Sequence, residues 1–313
     1  MSNRRVTLLG GTGFVGTELV HRLAERVGEV VVLTRRAQRV RALRVLPNVH
    51  AREVDVHDPD ALARAFAGSD VVINLVGILN ESGSSTFASA HDELTGKVLA
   101  ACEASAVPRY LHMSALNADA TEGSSEYLKS KGRAEDRVRA ADTALAWTIF
   151  RPSIIFGEKD AFFNRFAGLL KSLPVVFPLA VPDARMAPVW IGDVCRSMLD
   201  AIEDPATVGE TLHLCGPDEY TLRELVEYTA RTAELERTVI GLPDWAARLQ
   251  GRLLGLVPGK PFSTDNYLSL QSDSVCPGDC PRQPTSLDAV VPHYLGRRDW
   301  AGRLQQRRAA ARR

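Results

Sequence analysis

Short apolar runs alternate with amphipathic stretches through the first half of the chain. The apolar runs predict strands at residues 6–9, 30–33, 49–56, 71–76, 110–114 and 145–150. The stretches between them carry apolar residues at helical spacing and predict helices at 14–26, 58–66, 87–104 and 125–141. Because these strands are continuously apolar, both faces of their sheet should be buried, which is typical of parallel sheets. We therefore expect an α/β fold with a doubly wound parallel sheet.

The alternation ends after Arg151-Pro152. Prolines punctuate residues 160–190, and a helix, a strand and a helix follow at about 192–203, 209–214 and 221–234. We expect a smaller C-terminal α/β lobe over the carboxyl edge of the sheet, where open α/β proteins bind their ligands. The predicted boundaries are 1–155 for the sheet domain, 156–296 for the lobe and 297–313 for an arginine-rich tail.

Bulk composition narrows the class of protein. The 313 residues are 45% hydrophobic and 24% charged with zero formal net charge, so no broad positive field favours nucleic acid. No apolar run reaches the length of a membrane span, and the first strand leaves no room for a signal peptide. We expect a cytoplasmic protein, either free or peripheral on the inner face of the cytoplasmic membrane. The arginines of the tail suit an anionic lipid surface or a solubilising tail.

The five cysteines are scattered along the chain. Cys102 lies in a helical pattern and Cys215 in a strand pattern, so both are expected to be buried thiols. Only Cys276 and Cys280 are close in sequence, and a lone pair lacks the four ligands of a structural zinc site. The sequence therefore predicts no metal site, and the pattern suits a reducing compartment.

A glycine-rich turn separates the first predicted strand from the first predicted helix. It consists of Gly10, Gly11, Thr12, Gly13, Phe14, Val15 and Gly16. Glycines at this spacing let the backbone approach a pyrophosphate, and the helix N-terminus supplies oriented N–H donors. The strand–turn–helix context and the repeats behind it predict a Rossmann-type dinucleotide-binding domain.

The end of the second predicted strand bears on the choice of dinucleotide. A site for NAD usually places an acidic residue there, on the ribose 2′-hydroxyl. This chain has Thr34, Arg35 and Arg36 instead, and two guanidinium groups suit a 2′-phosphate. We expect NADP(H) rather than NAD(H), with Asp55 and Val56 after the third strand near the adenine; the alternative is that both arginines simply begin a solvated helix.

A serine, a tyrosine and a lysine form the candidate catalytic set. Tyr127 and Lys131 are four apart on a predicted helix and share one face. An ammonium near a phenol lowers the pKa of the phenol and makes it a usable acid or base. Ser114 ends the fifth predicted strand and is expected to reach the same site. A Tyr-x-x-x-Lys pair alone is a weak signal, and its value here comes from the domain that precedes it.

Together these residues resemble the short-chain dehydrogenase/reductase superfamily in its extended and atypical, epimerase-like branches. The resemblance covers most of residues 4–220 and includes segments 74–77, 151–157 and 188–194. It implies that Ser114, Tyr127 and Lys131 are catalytic. It also implies that the cofactor site is lined by Leu75, Val76, Gly77, Lys131, Arg151, Pro152 and Ile154.

Four further segments are similar to one branch of that superfamily, which contains the accessory subunit of respiratory complex I, its bacterial relatives and proteins implicated in ubiquinone synthesis. These segments are 112–118, 160–166, 260–266 and 284–287. The similarity implies a tightly held NADPH and an association with quinone metabolism or a respiratory membrane. In the complex I subunit the nucleotide is structural. One departure from the superfamily is Glu93, which falls near a position where many of its enzymes carry an asparagine.

Two functions from different classes follow. The first is an NADP(H)-dependent oxidoreductase linked to quinone metabolism or the respiratory chain, and the second is a non-catalytic NADPH-binding accessory or assembly protein of a membrane respiratory complex. A nucleotide-sugar epimerase or dehydratase is a third, which would need an acidic residue near position 34. Aromatic residues of the lobe suit an apolar substrate such as a quinone, or else pack its core: Phe162, Phe163, Phe166, Phe177 and Trp190.

A stretch at 244–257 bears on location. Trp245, Leu249, Leu253 and Leu256 lie near one face of the predicted helix, with arginines elsewhere. Such a face lies on a membrane or lines an apolar pocket in some proteins, and packs against its own domain in others. Both alternatives stay open at the level of sequence.

Overall fold

The computed structural model describes residues 2–36, 38, 40, 43, 45–141, 144–173, 175–257 and 260–296. The predicted arginine-rich tail at 297–313 lies outside the described residues. The chain divides into two compact units. The first contains the described residues of 1–152 and 194–213, and the second contains those of 153–193 and 214–313.

Thirteen strands occur in the described part of the chain. They are β1 (Ser2–Leu9), β2 (Val27–Thr34), β3 (Val49–Glu53), β4 (Val71–Asn74), β5 (Arg109–Met113), β6 (Ala146–Pro152), β7 (Ile155–Phe156), β8 (Val176–Leu179), β9 (Arg185–Met186), β10 (Val189–Trp190), β11 (Glu210–Leu214), β12 (Tyr220–Thr221) and β13 (Thr238–Gly241). Seven of them form one sheet in the order β11-β6-β5-β4-β1-β2-β3, and the others pair two by two.

Ten α-helices connect these strands within the described ranges. They are α1 (Phe14–Ala24), α2 (Pro59–Phe66), α3 (Leu94–Ala104), α4 (Glu126–Arg139), α5 (Phe163–Ser172), α6 (Ile191–Glu203), α7 (Leu222–Thr232), α8 (Asp244–Leu254), α9 (Thr264–Ser269) and α10 (Pro292–Leu295). A π-helical segment, Ala88–Glu93, runs directly into α3, so the predicted helix at 87–104 is divided in two.

The large sheet is parallel, as predicted. The apolar strand β1 lies in the middle, where Val6 is in register with Val30 on β2 and with Val71 on β4. All three valines are buried, since helices cover a parallel sheet on both faces. This arrangement confirms the expected Rossmann-type α/β fold.

The boundary between the units differs from the predicted one. The strand expected in the smaller lobe, β11, joins the large sheet beside β6. Polar contacts tie this returning segment to the sheet: Arg109 donates hydrogen bonds to the Ala201 carbonyl and to the hydroxyl groups of Thr148 and Thr207. The sequence pattern identified the helix and the strand of this segment, but long-range pairing decides which unit they join.

The second unit has a core of its own. The predicted substrate-facing aromatic residues belong to it: Phe163 and Phe177 are buried in its hydrophobic cluster, while Phe162, Phe166 and Trp190 pack against that cluster. Since core packing accounts for these rings, they no longer argue for an apolar substrate. Among the described residues, no helix is both long enough and apolar enough to span a membrane.

Candidate nucleotide-binding and catalytic site

The glycine turn lies at the carboxyl end of β1 and packs against the end of β4. Gly10 has φ of +79°, and a Cβ added to it would lie 2.9 Å from the Leu75 carbonyl carbon. A Cβ on Gly16 would lie 2.2 Å from the Gly10 oxygen. Both positions therefore require glycine. Helix α1 begins after Gly13 with no side-chain cap and no acidic residue in its first turn, which leaves the first-turn N–H groups available to an anion.

The chain after β4 runs from the glycine turn toward the candidate catalytic lysine, Lys131. The Leu75 N–H donates to the Leu9 carbonyl at 3.0 Å, and the Val76 N–H donates to the Asn74 side chain at 3.1 Å. A Cβ on Gly77 would lie 3.3 Å from Lys131 Nζ. The glycine turn, the end of β4 and the lysine thus lie next to one another.

Lys131 is buried at the carboxyl end of β5. Its Nζ donates a hydrogen bond to the Met113 carbonyl at 3.0 Å. Burial lowers the pKa of Lys131 to about 8, and the carboxylate of Glu135 opposes that change. The next residue after Met113 is Ser114, whose buried hydroxyl has no hydrogen-bond partner among the described residues. The structure therefore brings the predicted serine and lysine together through one peptide unit.

Tyr127 lies one helical turn before Lys131 on α4. The helix begins after Ser125, whose side chain accepts a hydrogen bond from the Leu128 N–H. The Tyr127 ring is half-buried and meets two other rings edge-on: His91 at a centroid distance of 5.5 Å and Phe87 at 5.9 Å. The side chain is thus held by packing on the same helix face as Lys131.

His91 is a site residue that the sequence analysis missed. Its Nε2 accepts a hydrogen bond from the Ile78 N–H at 3.0 Å, so Nδ1 carries the proton and donates to Ser130 Oγ at 2.8 Å. Burial, with the charge of Lys131, lowers the pKa of His91 to about 2, so the ring is neutral. The sequence analysis pointed to Glu93 instead, and that residue is exposed. The π-helical segment changes which residues face inward.

The residues expected to select the dinucleotide end β2 and follow β3. Thr34 is buried, and its hydroxyl bonds to the backbone N–H and carbonyl of Arg36. Arg35 and Arg36 are both exposed. Asp55 is exposed, and its carboxylate accepts the His57 N–H at 2.9 Å, which closes a turn after β3.

Arg151 is held by protein groups. It donates to the buried carboxylate of Glu135 from Nε at 2.8 Å and from Nη2 at 2.5 Å, and Nη2 also donates to the Ala118 carbonyl. Within the described residues, only Nη1 is left for a ligand. Pro152 is buried at the end of β6, whereas Ile154 lies in the second unit, where its carbonyl accepts the Val189 N–H.

Comparisons with known proteins show which family this chain resembles. A family model described as NAD(P)H-binding matches residues 10–162. The mouse (Mus musculus) protein NADH dehydrogenase (ubiquinone) 1 alpha subcomplex subunit 9, mitochondrial, is 32% identical over 303 residues, which cover 93% of this chain and 79% of the mouse protein. Ceramide reductase of Caulobacter vibrioides is 28% identical over 249 residues, covering 80% and 77%.

Solved structures extend the comparison to the fold. A dTDP-glucose 4,6-dehydratase from Streptomyces venezuelae, solved with bound NAD, superposes with a TM-score of 0.65 at 22% identity, covering 76% of this chain and 85% of that chain. At this identity the likeness shows the fold alone.

Proposed function

Because this chain belongs to the short-chain dehydrogenase/reductase superfamily, in the family of the complex I subunit 9 proteins, we propose that it is an NADP(H)-dependent oxidoreductase acting on a quinone or another carbonyl compound. The observation that carries the proposal is the buried Ser114 hydroxyl, which has no partner among the described residues. Leaving a buried hydroxyl unpaired costs about 1–3 kcal/mol. A ligand oxygen bound to Ser114 would recover that cost.

The residues present fit a dinucleotide. The turn from Gly10 to Gly16 offers a cradle in which a Cβ would collide with backbone, and it leads into the uncapped N-terminus of α1. Both features suit a pyrophosphate. The exposed guanidinium groups of Arg35 and Arg36 support the choice of NADP(H), since arginine grips a 2′-phosphate in a bidentate manner.

The proposed chemistry divides between cofactor and chain. A bound nicotinamide supplies or accepts the hydride. Ser114 donates a hydrogen bond to the substrate oxygen, and Tyr127 Oη transfers the proton. Lys131, protonated below its pKa of about 8, favours the ionised form of Tyr127 by its charge. The neutral His91 supports the tyrosine ring without adding a competing charge.

Turnover tests the enzyme. Purified protein is denatured to release and identify any nucleotide, and NADPH oxidation is then followed by absorbance with short-chain quinones and carbonyl compounds as acceptors. Tyr127→Phe should abolish oxidation, whereas Tyr220→Phe, a matched change in the second unit, should preserve it. Tightly bound NADPH that none of these acceptors oxidises would contradict the proposed enzymatic role.

Nucleotide choice is tested separately. Replacing both Arg35 and Arg36 by glutamate should weaken NADPH binding strongly and NADH binding little. Arg64→Glu, which makes the same charge change at an exposed position on α2, should leave both affinities unchanged. Equal affinity of the wild type for NADPH and NADH would contradict the assignment.

A second function is favoured by the similarity to a complex I subunit along most of the chain. In that case the nucleotide stabilises the protein, and the protein serves a respiratory assembly. A ligand at 100 times its Kd adds about 2.7 kcal/mol of stability, so this role needs no turnover. It predicts that Tyr127→Phe retains the nucleotide and the association with the complex, whereas Gly16→Ala loses both.

Helix α8 supports a peripheral location on a membrane. Trp245, Leu249, Leu253 and Leu256 are exposed, at 71%, 47%, 57% and 84% of their surface. Among the described residues about half or more of each of these side chains stays uncovered, on α8 and, for Leu256, just after its end. An exposed apolar face of this kind suits the boundary of a lipid bilayer.

Vesicle binding tests this location. Vesicles containing anionic phospholipid should co-float with the protein and shift its tryptophan emission to the blue. Replacing Leu249 and Leu253 by serine should abolish both effects, whereas Val208→Ser, at an exposed position in the first unit, should not. Failure of the wild type to bind any vesicle would exclude this role for α8.

A further inference from the structure

Three cysteines from distant parts of the chain converge in the second unit. The Sγ atoms of Cys215, Cys276 and Cys280 all lie within 4.8 Å of one another. The Cα of Cys276 lies 5.9 Å from that of Cys215 and 6.1 Å from that of Cys280. The sequence indicated only the close pair, because nothing in the spacing shows that the end of β11 meets the segment at 276–280.

No disulfide pattern accounts for all three sulfur atoms. Cys276 is within bonding reach of both Cys215 and Cys280, but one sulfur atom forms only one disulfide. Any disulfide would therefore leave the third thiol beside it. A single metal cation, in contrast, can coordinate all three sulfur atoms at once, because one cation binds several thiolate ligands.

We propose that Cys215, Cys276 and Cys280 bind one Zn²⁺ ion as thiolates, with solvent in the fourth position. The three-residue spacing of Cys276 and Cys280 falls within the range found in zinc sites. Between them Gly278 adopts φ of +56°, which turns the chain back on itself. Cys215 and Cys276 are buried, and Cys280 is partly exposed, so the fourth position lies on the side open to solvent. Thiolate ligands select Zn²⁺ over harder cations.

The metal would cross-link the loop at residues 275–282, most of which is exposed or half-buried. The loop is joined at one end by the Ser274 N–H to the Arg185 carbonyl at 2.8 Å, and at the other by the Gln283 N–H to the Cys215 carbonyl at 2.8 Å. Between these bonds, most residues of the segment are exposed or half-buried. A zinc ion bound by the three cysteines would therefore cross-link this loop to the residue that follows β11.

Metal content and thiol count test the proposal together. Protein purified under reducing conditions without chelator should contain one zinc ion per chain by mass spectrometry. After removal of the reductant, denaturation and chelation, Ellman's reagent should find all five cysteines as thiols. One disulfide would leave only three thiols, because it joins two of the five cysteines. Three thiols, or five thiols without zinc after loading and desalting, would overturn the proposal.

Variants and a spectroscopic probe complete the test. Cys276→Ser should lose the zinc, whereas Cys102→Ala, a buried cysteine of the first unit, should keep it. Because Cys276→Ser could also fail to fold, Co²⁺ is exchanged into the wild type. Thiolate-to-cobalt charge-transfer absorption is expected in the near ultraviolet, and its absence in folded, cobalt-loaded protein would also overturn the proposal.

Discussion

Replacing Lys131 by methionine should change how stability depends on pH. The ammonium is buried, and the pKa of Lys131 is lowered from the ordinary 10.5 to about 8. The folded protein therefore releases this proton at lower pH than the unfolded chain does. Between about pH 8 and pH 10.5 the unfolded state binds more protons, so the free energy of unfolding rises with pH in that window. Below pH 8 both states are protonated, and the full penalty of the buried charge is present.

The size of the effect follows from the same values. Each step of one in pKa corresponds to about 1.4 kcal/mol, so the penalty at neutral pH is about 3 kcal/mol. Linkage places about 2 kcal/mol of its relief between pH 7 and pH 9.5. Lys131→Met removes the charge and its pH dependence, but it leaves the Met113 carbonyl without its hydrogen bond, which costs about 1–3 kcal/mol at any pH.

Urea unfolding at pH 7, 8, 9 and 9.5 measures this difference. The wild type should gain about 2 kcal/mol relative to Lys131→Met across that range. Lys129→Met, a matched change at a half-buried lysine on the same helix, should give a curve parallel to that of the wild type. If the difference between the wild type and Lys131→Met stays constant with pH, the ammonium is not desolvated and the reasoning fails.

Three further changes test other parts of the site. Gly16→Ala places a Cβ 2.2 Å from the Gly10 oxygen; we expect loss of NADPH binding in a fluorescence titration and a destabilisation of about 1–3 kcal/mol, and unchanged affinity would contradict this. Lowering the pH from 7 to 5 should cost about 2 kcal/mol for each of His91 and His112, whose pKa values are lowered to about 2 and about 3, because the unfolded chain takes up their protons below pH 6.5; His91→Gln should remove its share, and an identical loss in that variant would refute the assignment. Glu135→Ala leaves the Arg151 guanidinium without its buried partner and should cost roughly 3 kcal/mol in urea unfolding, whereas an unchanged midpoint would mean that the pair contributes nothing.

Much of the nucleotide-binding unit could be predicted from the sequence, because local patterns carry it. Continuous apolar runs predict buried parallel strands, and the glycine spacing from Gly10 to Gly16 has a steric cause that acts within one turn of chain. Tyr127 and Lys131 share a face because helical spacing requires it. These features depend on residues close in sequence, so each of them is readable without tertiary structure.

Long-range packing decided the rest. The π-helical segment turned His91 inward beside Tyr127, where the sequence pointed to Glu93. Glu135 pairs with the Arg151 guanidinium, a partner that the sequence did not predict. Pairing beside β6 brought β11 into the large sheet, and the residue that follows β11, Cys215, meets two cysteines more than sixty positions away. The partner of a buried charge or thiol is often distant in sequence and comes into contact with it only in the folded chain. Such partners are therefore set by tertiary structure, while the strands, helices and glycine turn that carry them are set by the local sequence.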